Sequence, residues 1–393
     1  MRILFLCSCL EPARDGVGDY TQSLADECTR QGHSCALIAL NDRFVTEPTE
    51  SIATGKEKIP LLRLPSKLTW PQRIAQAVAF RSRFQPDWIS LQFVPYGFND
   101  KGIVLNLSRA FHTLTSGRPL HLMLHELWIG QTPDAPLKQR LIGLLQRLGL
   151  KYLIRRLQPQ LVTTSNPAYR FFLKNTGIRS TLLPLFCNIP VTLIHSKPEL
   201  PVELVETGLT RDQPNREQWW VGIFFGALHP EWKPEPFLSI LKQAARRANK
   251  RICLFLAGRP GAPGEILWEN LKHTYPSEIA FIKSGEQPAA RISILLQSAD
   301  FGIAASPWQL VGKSSTLATM LDHGLPVIVT RDDYQPQPLP DDPPSTDPFL
   351  YRCDDSLEEK LVMGLPKRPV HSRQGEIAAQ FCQLLHTATT PNS

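Results

Sequence analysis

Short apolar runs alternate with segments of helical period along nearly the whole chain, and the alternation is played out twice. In the first half the run Ile3-Leu4-Phe5-Leu6 leads into a turn, Asp15-Gly16-Val17-Gly18-Asp19-Tyr20, and then into a helix-like stretch over residues 21–31. Further apolar runs follow at 35–40, 87–93, 120–125 and 161–165. The second half repeats the plan from Trp219-Trp220-Val221-Gly222-Ile223-Phe224-Phe225-Gly226, with strand-like runs at 221–225, 252–257, 279–282, 301–304 and 326–329. Short apolar strands separated by helices predict parallel sheets covered on both faces, so the fold class is α/β.

A length of 393 residues fits two domains better than one core. The pattern divides them as residues 1–190 and 191–370, with a C-terminal helix and tail at 371–393 packing back on the first domain. Residues 193–216 carry prolines, charges and no clear period, as a linker does. The Pro- and Asp-rich stretch 335–348 reads as a long loop, and 375–385 as the final helix.

Each half also carries a glycine-rich turn between a strand and a helix. That order gathers backbone N–H groups and the positive end of a helix at one spot, which suits an anion. In the first half the turn offers Gly16 and Gly18, with Asp19 placed either to bind acceptor hydroxyls or to cap the helix. In the second, Val311-Gly312-Lys313-Ser314-Ser315-Thr316 joins a glycine, a cation and three hydroxyls at a helix start. The functional reading is a diphosphate cradle in which Lys313 and Lys233 offset the charge; the bland one is that Ser314 caps the helix and Lys313 sits in water. Ligands of doubly wound sheets lie beyond the carboxyl ends of the strands, where Gly16, Gln92, His125 and Ser165 all fall. His125 is either a ligand contact or a satisfied structural histidine, and Arg259 either a nucleotide contact or a surface arginine.

Charge and composition narrow the field. A formal net charge of +7 and a pI near 9.0 favour acidic partners, and 42% hydrophobic with 20% charged residues indicates a soluble globular protein. No motif, basic tail or aromatic-basic stripe supports nucleic-acid binding. The cysteines are scattered singly through apolar runs, which reads as free thiols in a reducing cytoplasm and not as a disulfide framework or a metal site. The N-terminal run is too short for a signal peptide, and no apolar stretch approaches a membrane span. Residues 137–157 interleave leucines with Lys138, Arg140, Arg147, Lys151, Arg155 and Arg156. Such a stretch either lies on an anionic membrane or packs on the sheet with its charges in water, and Gly143 and Gly149 favour two short helices over one long one.

These residues resemble, in order, the motifs of the GT-B glycosyltransferases, specifically the retaining group of family 4-like mannosyl- and glucosyltransferases of polysaccharide and glycolipid assembly. The family's GGVGxY…L…GHxV is similar to Asp15-Gly16-Val17-Gly18-Asp19-Tyr20 with Leu24 and Gly32-His33-Ser34-Cys35. Its later landmarks are similar to Pro86-Asp87-Trp88-Ile89-Ser90-Leu91-Gln92, Leu124-His125-Glu126, Val162-Thr163-Thr164-Ser165 and Leu183-Pro184-Leu185-Phe186-Cys187-Asn188. In the second half its vGRl…KG resembles Phe225-Gly226-Ala227-Leu228 with Lys233. The resemblance implies two Rossmann-like domains facing across a cleft, an acceptor domain followed by a donor domain. It further implies a metal-independent, cofactor-free transfer of a hexose from a nucleotide-diphospho-sugar to a saccharide or glycolipid, with retention and with His125 at the transferred sugar.

The chain departs from the family in two places. Ala227 stands where the family has its arginine, and the acidic pair spaced as E-x7-E falls on Val311 and Thr319, or in a shifted register on Ser306 and Ser314. The expected set is therefore His125 and Asp19 for catalysis, and Gly16, Gly18, Lys233, Arg259, Gly312, Lys313, Ser314, Ser315 and Thr316 for the donor. The expected location is the cytoplasm, at or near the inner face of the membrane. Two rival readings remain on sequence grounds: a binding or regulatory protein on a degenerate scaffold, and a sugar-nucleotide epimerase or hydrolase.

Overall fold

The computed structural model describes residues 1–53, 57–193, 201–206, 215–275 and 277–389, and most of the expected linker at 193–216 lies outside them. The chain divides into two compact units. The first holds Met1–Leu185, Gln335–Asp342 and Gln374–Ser393; the second holds Phe186–Tyr334 and Pro343–Arg373.

The first unit runs β1 (Arg2–Cys7), α1 (Gly16–Arg30), β2 (Ser34–Asp42), β3 (Thr49–Ile52), β4 (Pro60–Pro65), α2 (Trp70–Phe84), β5 (Trp88–Phe93) and α3 (Pro95–Phe98). It continues with α4 (Ser108–Thr115), β6 (Leu120–Leu124), α5 (Leu137–Leu157), β7 (Leu161–Thr164), α6 (Pro167–Asn175) and β8 (Thr181–Leu182). Its sheet has the order β3-β4-β2-β1-β5-β6-β7-β8, parallel except for β3, which pairs antiparallel with β4 at the edge. From β1 the chain winds outward through β2 to β4, then returns to β5 on the other side of β1. The switch point is therefore between β1 and β5, and in sheets of this kind ligands bind there, at the carboxyl ends of the strands. β1 and β5 are buried throughout save Arg2, as strands covered on both faces must be.

The second unit contains α7 (Val202–Glu206), β9 (Trp219–Phe225), α8 (Phe237–Arg247), β10 (Arg251–Ala257), α9 (Ala262–Thr274), β11 (Ile279–Gly285), α10 (Ala289–Ser298) and β12 (Phe301–Pro307). A 3-10 turn at Trp308–Lys313 leads into α11 (Ser315–Asp322), followed by β13 (Val327–Arg331), β14 (Leu350–Arg352) and α12 (Leu357–Met363). All six strands are parallel in the order β11-β10-β9-β12-β13-β14, so the switch point is between β9 and β12. Trp219, Val221, Phe255 and Val327 fill one face, and Phe224, Trp232, Trp268 and Phe281 the other. Gly302 on β12 lets α11 approach, since a Cβ there would meet the Met320 sulfur at 2.5 Å.

Four features differ from the sequence reading. Strands β3, β4, β8 and β14 have no counterpart in it, being short and at or near sheet edges, where apolar runs are weak. The segment Gln335–Asp342, expected with the second domain, belongs to the first unit, tied by Gln337 N–H to the Gln131 carbonyl at 3.0 Å and by Arg170 to Asp342 at 2.5 Å. The 137–157 stretch is one helix, α5, not two. Its glycines face neighbouring backbone: a Cβ at Gly143 would run into the Ile129 carbonyl, and Gly149 packs against Val104 and Leu105. Close packing there offsets the ~1 kcal/mol that each glycine costs a helix. Finally, the buried stripe of α5 is Gly143, Gln146, Gly149, Leu150, Leu153 and Leu157, while Leu137, Leu141, Leu144, Leu145, Leu148 and Tyr152 are 44% to 77% exposed.

The final helix, α13 (Gln374–Thr389), packs on the first unit. Phe381 meets Phe5 at 5.7 Å and His121 at 5.2 Å, and the Cys382 and Cys28 sulfurs are 3.7 Å apart. All eight cysteines are free, and all but Cys353 are buried.

Candidate functional site

In the second unit the turn after β9 meets the start of α11. Gly226 takes φ +83°, and a Cβ on it would lie 2.9 Å from the Thr316 methyl; Gly258 at the end of β10 would crowd Gly226 in the same way at 3.3 Å. The chain thus uses glycine where two strand ends and a helix start converge. Ser314 is the N-cap of α11, its hydroxyl accepting from Leu317 N–H at 3.2 Å and lying 3.0 Å from the Thr316 hydroxyl.

Cations collect around this corner. Trp232 is buried and donates its indole N–H to Thr330 Oγ1 at 2.7 Å, while Thr330 donates to the Ala304 carbonyl at 3.1 Å. The anchor ties the loop carrying His229 and Lys233 to the end of β13. There Arg331, paired beside Pro307 in the sheet, is only 6% exposed and bonds Asp333 at 2.7 Å and Glu231 at 3.1 Å. Arg331 holds the Asp333 carboxyl below its usual range, with Lys233 adding to the effect. Burial lowers the pKa of His229, and Arg331 and Lys313 lower it further, so that imidazole is disposed to stay neutral. Lys233, Lys313 and Arg331 therefore feel one another through shared neighbours at the carboxyl ends of β9, β12 and β13.

At the helix start after β1, beside the switch point of the first unit, the chemistry is different. Asp15 is the N-cap of α1, and its Oδ1 accepts from Val17 N–H at 2.9 Å and Gly18 N–H at 3.3 Å. The helix start that the sequence offers to a phosphate is taken by the protein's own carboxylate. Gly18 serves packing, because a Cβ there would run into the Cys9 carbonyl, whereas Gly16 has open space. Asp19 accepts from Ala13 N–H at 3.0 Å, fixing the loop before the helix, and burial raises its pKa.

One strand further on, His125 follows β6, its backbone N–H bonded to the Phe93 carbonyl at 3.1 Å. Tyr20 of α1 meets the ring edge-on at 5.2 Å. His125 Nε2 lies 2.8 Å from Gln92 Oε1, and Gln92 Nε2 lies 2.8 Å from Ser90 Oγ. Ser90 Oγ is 2.8 Å from His121 Nδ1, His121 Nε2 is 2.8 Å from Thr163 Oγ1, and Thr163 reaches Met123 Sδ at 2.9 Å. Burial pushes both imidazoles down to about 3, so both are neutral near pH 7. Ser165, at the end of β7, is buried and its hydroxyl has no hydrogen-bond partner among the described residues, a state that a ligand or water would relieve.

The fold thus places Gly312, Lys313, Ser314, Ser315 and Thr316 at the start of α11, with Lys233 and Lys313 linked through the neighbours of Arg331, and in the first unit it brings Gln92 and Tyr20 to His125, with Asp19 beside Tyr20 on α1. Gly16 and Gly18 lie in the first turn of α1, in the first unit. Arg259 is exposed and ion-paired with Glu286. Val311 is core, and the buried Thr319 hydroxyl is spent on the Ser315 carbonyl at 2.8 Å and Asn188 at 3.2 Å, so no carboxylate takes either position. Sequence reasoning missed Arg331, whose signal was a lone cation ending the run Val327-Ile328-Val329-Thr330. It also missed the Ser90–His121–Thr163 chain, whose polar members sit in otherwise apolar strands. Among the described residues no group of three or more His, Cys, Asp or Glu is arranged to hold a metal ion, and no helix is long and apolar enough to cross a membrane.

No family model matches the chain, and no curated protein matches it in sequence. Solved structures do match. Anabaena Alr3699/HepE in complex with UDP and glucose aligns with a TM-score of 0.52 at 15% identity, over 99% of each chain. TarM aligns with a TM-score of 0.54 at 9% identity, over 100% of this chain and 96% of its own. The UDP-GlcNAc 2-epimerase of Methanocaldococcus jannaschii aligns at 0.50 and 10% identity, over 98% and 100%. With two mostly parallel α/β sheets wound as described, the chain has the GT-B fold of glycosyltransferases.

Proposed function

We propose that this protein transfers a hexose from a nucleotide-diphospho-sugar to a saccharide or lipid-linked acceptor. The observation that carries the reading is the corner of the second unit where the glycine turns after β9 and β10 meet the start of α11 at Thr316, with Lys313 at that helix start and Lys233 and Arg331 linked to it through His229 and Asp333. A helix N-terminus with hydroxyls and fixed cations is suited to a diphosphate leaving group, and the lysines supply charge that a metal ion would otherwise provide, so we read the transfer as metal-independent. HepE, crystallised with UDP and glucose on the same fold, supports a nucleotide-sugar as donor. The acceptor is assigned to the first unit near Asp19, Tyr20 and His125, with His125 as a neutral hydrogen-bonding group at the transferred sugar.

The exposed leucines of α5, interleaved with Lys138, Lys151, Arg155 and Arg156, are suited to an anionic lipid surface and so to a lipid-linked acceptor on the cytoplasmic face. Sedimentation with vesicles containing anionic lipid checks this; Leu144→Ser combined with Leu148→Ser should release the protein, and equal binding by the variant removes the proposal.

Calorimetric titration with UDP, GDP and ADP tests the donor site. One nucleotide should bind, and Lys313→Ala should weaken it about tenfold, ~1.4 kcal/mol. No binding by any of the three would favour a non-catalytic protein, a reading to which the missing acidic pair at Val311 and Thr319 already lends weight. Turnover of the sugar nucleotide with no acceptor present would favour an epimerase or hydrolase, in keeping with the epimerase that shares the fold.

A further inference from the structure

The chain of polar contacts behind His125 has a direction, and one residue sets it. Gln92, Ser90, His121 and Thr163 are all buried in strands β5, β6 and β7, and Phe381 of α13 covers the His121 ring. Two proton arrangements satisfy the central links equally. In one, each group donates away from His125; in the other, every hydrogen is reversed and the Gln92 amide is turned over. Met123 separates them. A thioether sulfur accepts and never donates, and it lies 2.9 Å from Thr163 Oγ1. Thr163 must therefore spend its one hydrogen on Met123, since otherwise lone pairs would face each other across that short gap. With its hydrogen committed, Thr163 can only accept from His121, which fixes His121 as the Nε2–H form. His121 Nδ1 then accepts from the Ser90 hydroxyl, Ser90 accepts from the Gln92 amide, and Gln92 Oε1 accepts from His125 Nε2–H.

We infer that Met123, Thr163, His121, Ser90 and Gln92 are positioning residues that hold His125 as its Nε2–H tautomer, reserving Nδ1 to accept a hydrogen bond from a hydroxyl of the bound saccharide. Among the described residues Nδ1 has no hydrogen-bond partner. The relay makes His125 an acceptor and not an acid, and it does so from Met123, two residues back in the chain, through groups on β7, β6 and β5. The part concerning the saccharide rests on the placement of the sugar at His125 proposed above; the tautomer itself does not.

The test is nitrogen-15 NMR of the full chain with labelled histidine, which distinguishes the ring tautomers directly. Wild type should show His125 wholly as Nε2–H. Met123→Leu, which keeps the volume and removes the acceptor, should give a mixture of both tautomers. Thr163→Val should break the relay and Thr163→Ser restore it, which a purely packing role for Thr163 would not produce. An Nδ1–H tautomer in wild type, or an unchanged tautomer in Met123→Leu, overturns the relay. Glucose and mannose, added as probes together with UDP, should move the Nδ1 resonance; an unmoved resonance beside an intact Nε2–H overturns the acceptor role. Binding of UDP, GDP and ADP measured on the same samples keeps the two readings apart, because loss of all nucleotide binding counts against the transferase and leaves the tautomer result standing.

Discussion

The helix starts α1 and α11 both lie beside the switch point of their sheet, one after β1 and the other after β12, yet they differ in what they offer an anion. At α1 the cap is a carboxylate, Asp15, which takes two N–H groups and brings a negative charge with it, and Asp19 lies one turn on. At α11 the cap is the neutral hydroxyl of Ser314, which takes one N–H, and the nearby charges are Lys313, Lys233 and Arg331, the last paired with Asp333 and Glu231. A glycine turn before a helix is therefore not a phosphate site in itself. The charge of the cap and of residues brought in from other strands decides whether a second anion is welcome.

The contrast can be broken most forcefully through Gly18. Its missing side chain is what lets α1 approach the Cys9 carbonyl, so Gly18→Ala should destabilise the first unit by ~1–3 kcal/mol in denaturant unfolding, while Gly16→Ala, with open space at its Cα, should be close to neutral. Equal effects of the two would show that the first glycine turn is not a packing device. Smaller changes are expected at the caps. Asp15→Ala and Ser314→Ala should each cost ~1 kcal/mol of stability. Only Ser314→Ala should also weaken nucleotide binding, by a few-fold in calorimetry, whereas Asp15→Ala should leave affinity where it was. A loss of nucleotide affinity in Asp15→Ala would place the anion at α1 after all.

Much of the fold was readable along the chain because buried parallel strands are continuous apolar runs and their order is fixed by alternation with helices. The runs beginning at Ile3, Cys35, Leu120, Ile252 and Phe301 all became strands. The edge strands β3 and β14 were not readable, since Thr49–Ile52 is exposed and Leu350–Arg352 is three residues long. The single helix α5 was misread because propensity counts a glycine as a loss, while the close approach of the Ile129 carbonyl leaves no room for a Cβ at Gly143. Among site residues, Lys233, Lys313 and His125 were visible from their places after strands and turns. Arg331 was not, because its partner Glu231 is brought to it from a distant loop held by the Trp232–Thr330 anchor.

By itself the sequence determined the two α/β halves, the positions of both glycine turns and the residue types at the strand ends, all of which follow from periodicity and spacing over a few residues. Which turn accepts an anion, whether α5 buries or exposes its leucines, and which nitrogen of His125 carries the proton were decided only in three dimensions. These depend on sums of charge, burial and hydrogen-bond direction over groups far apart in the chain, as Thr163 and Ser90, brought to β6 from β7 and β5 to join Met123 to His125, illustrate.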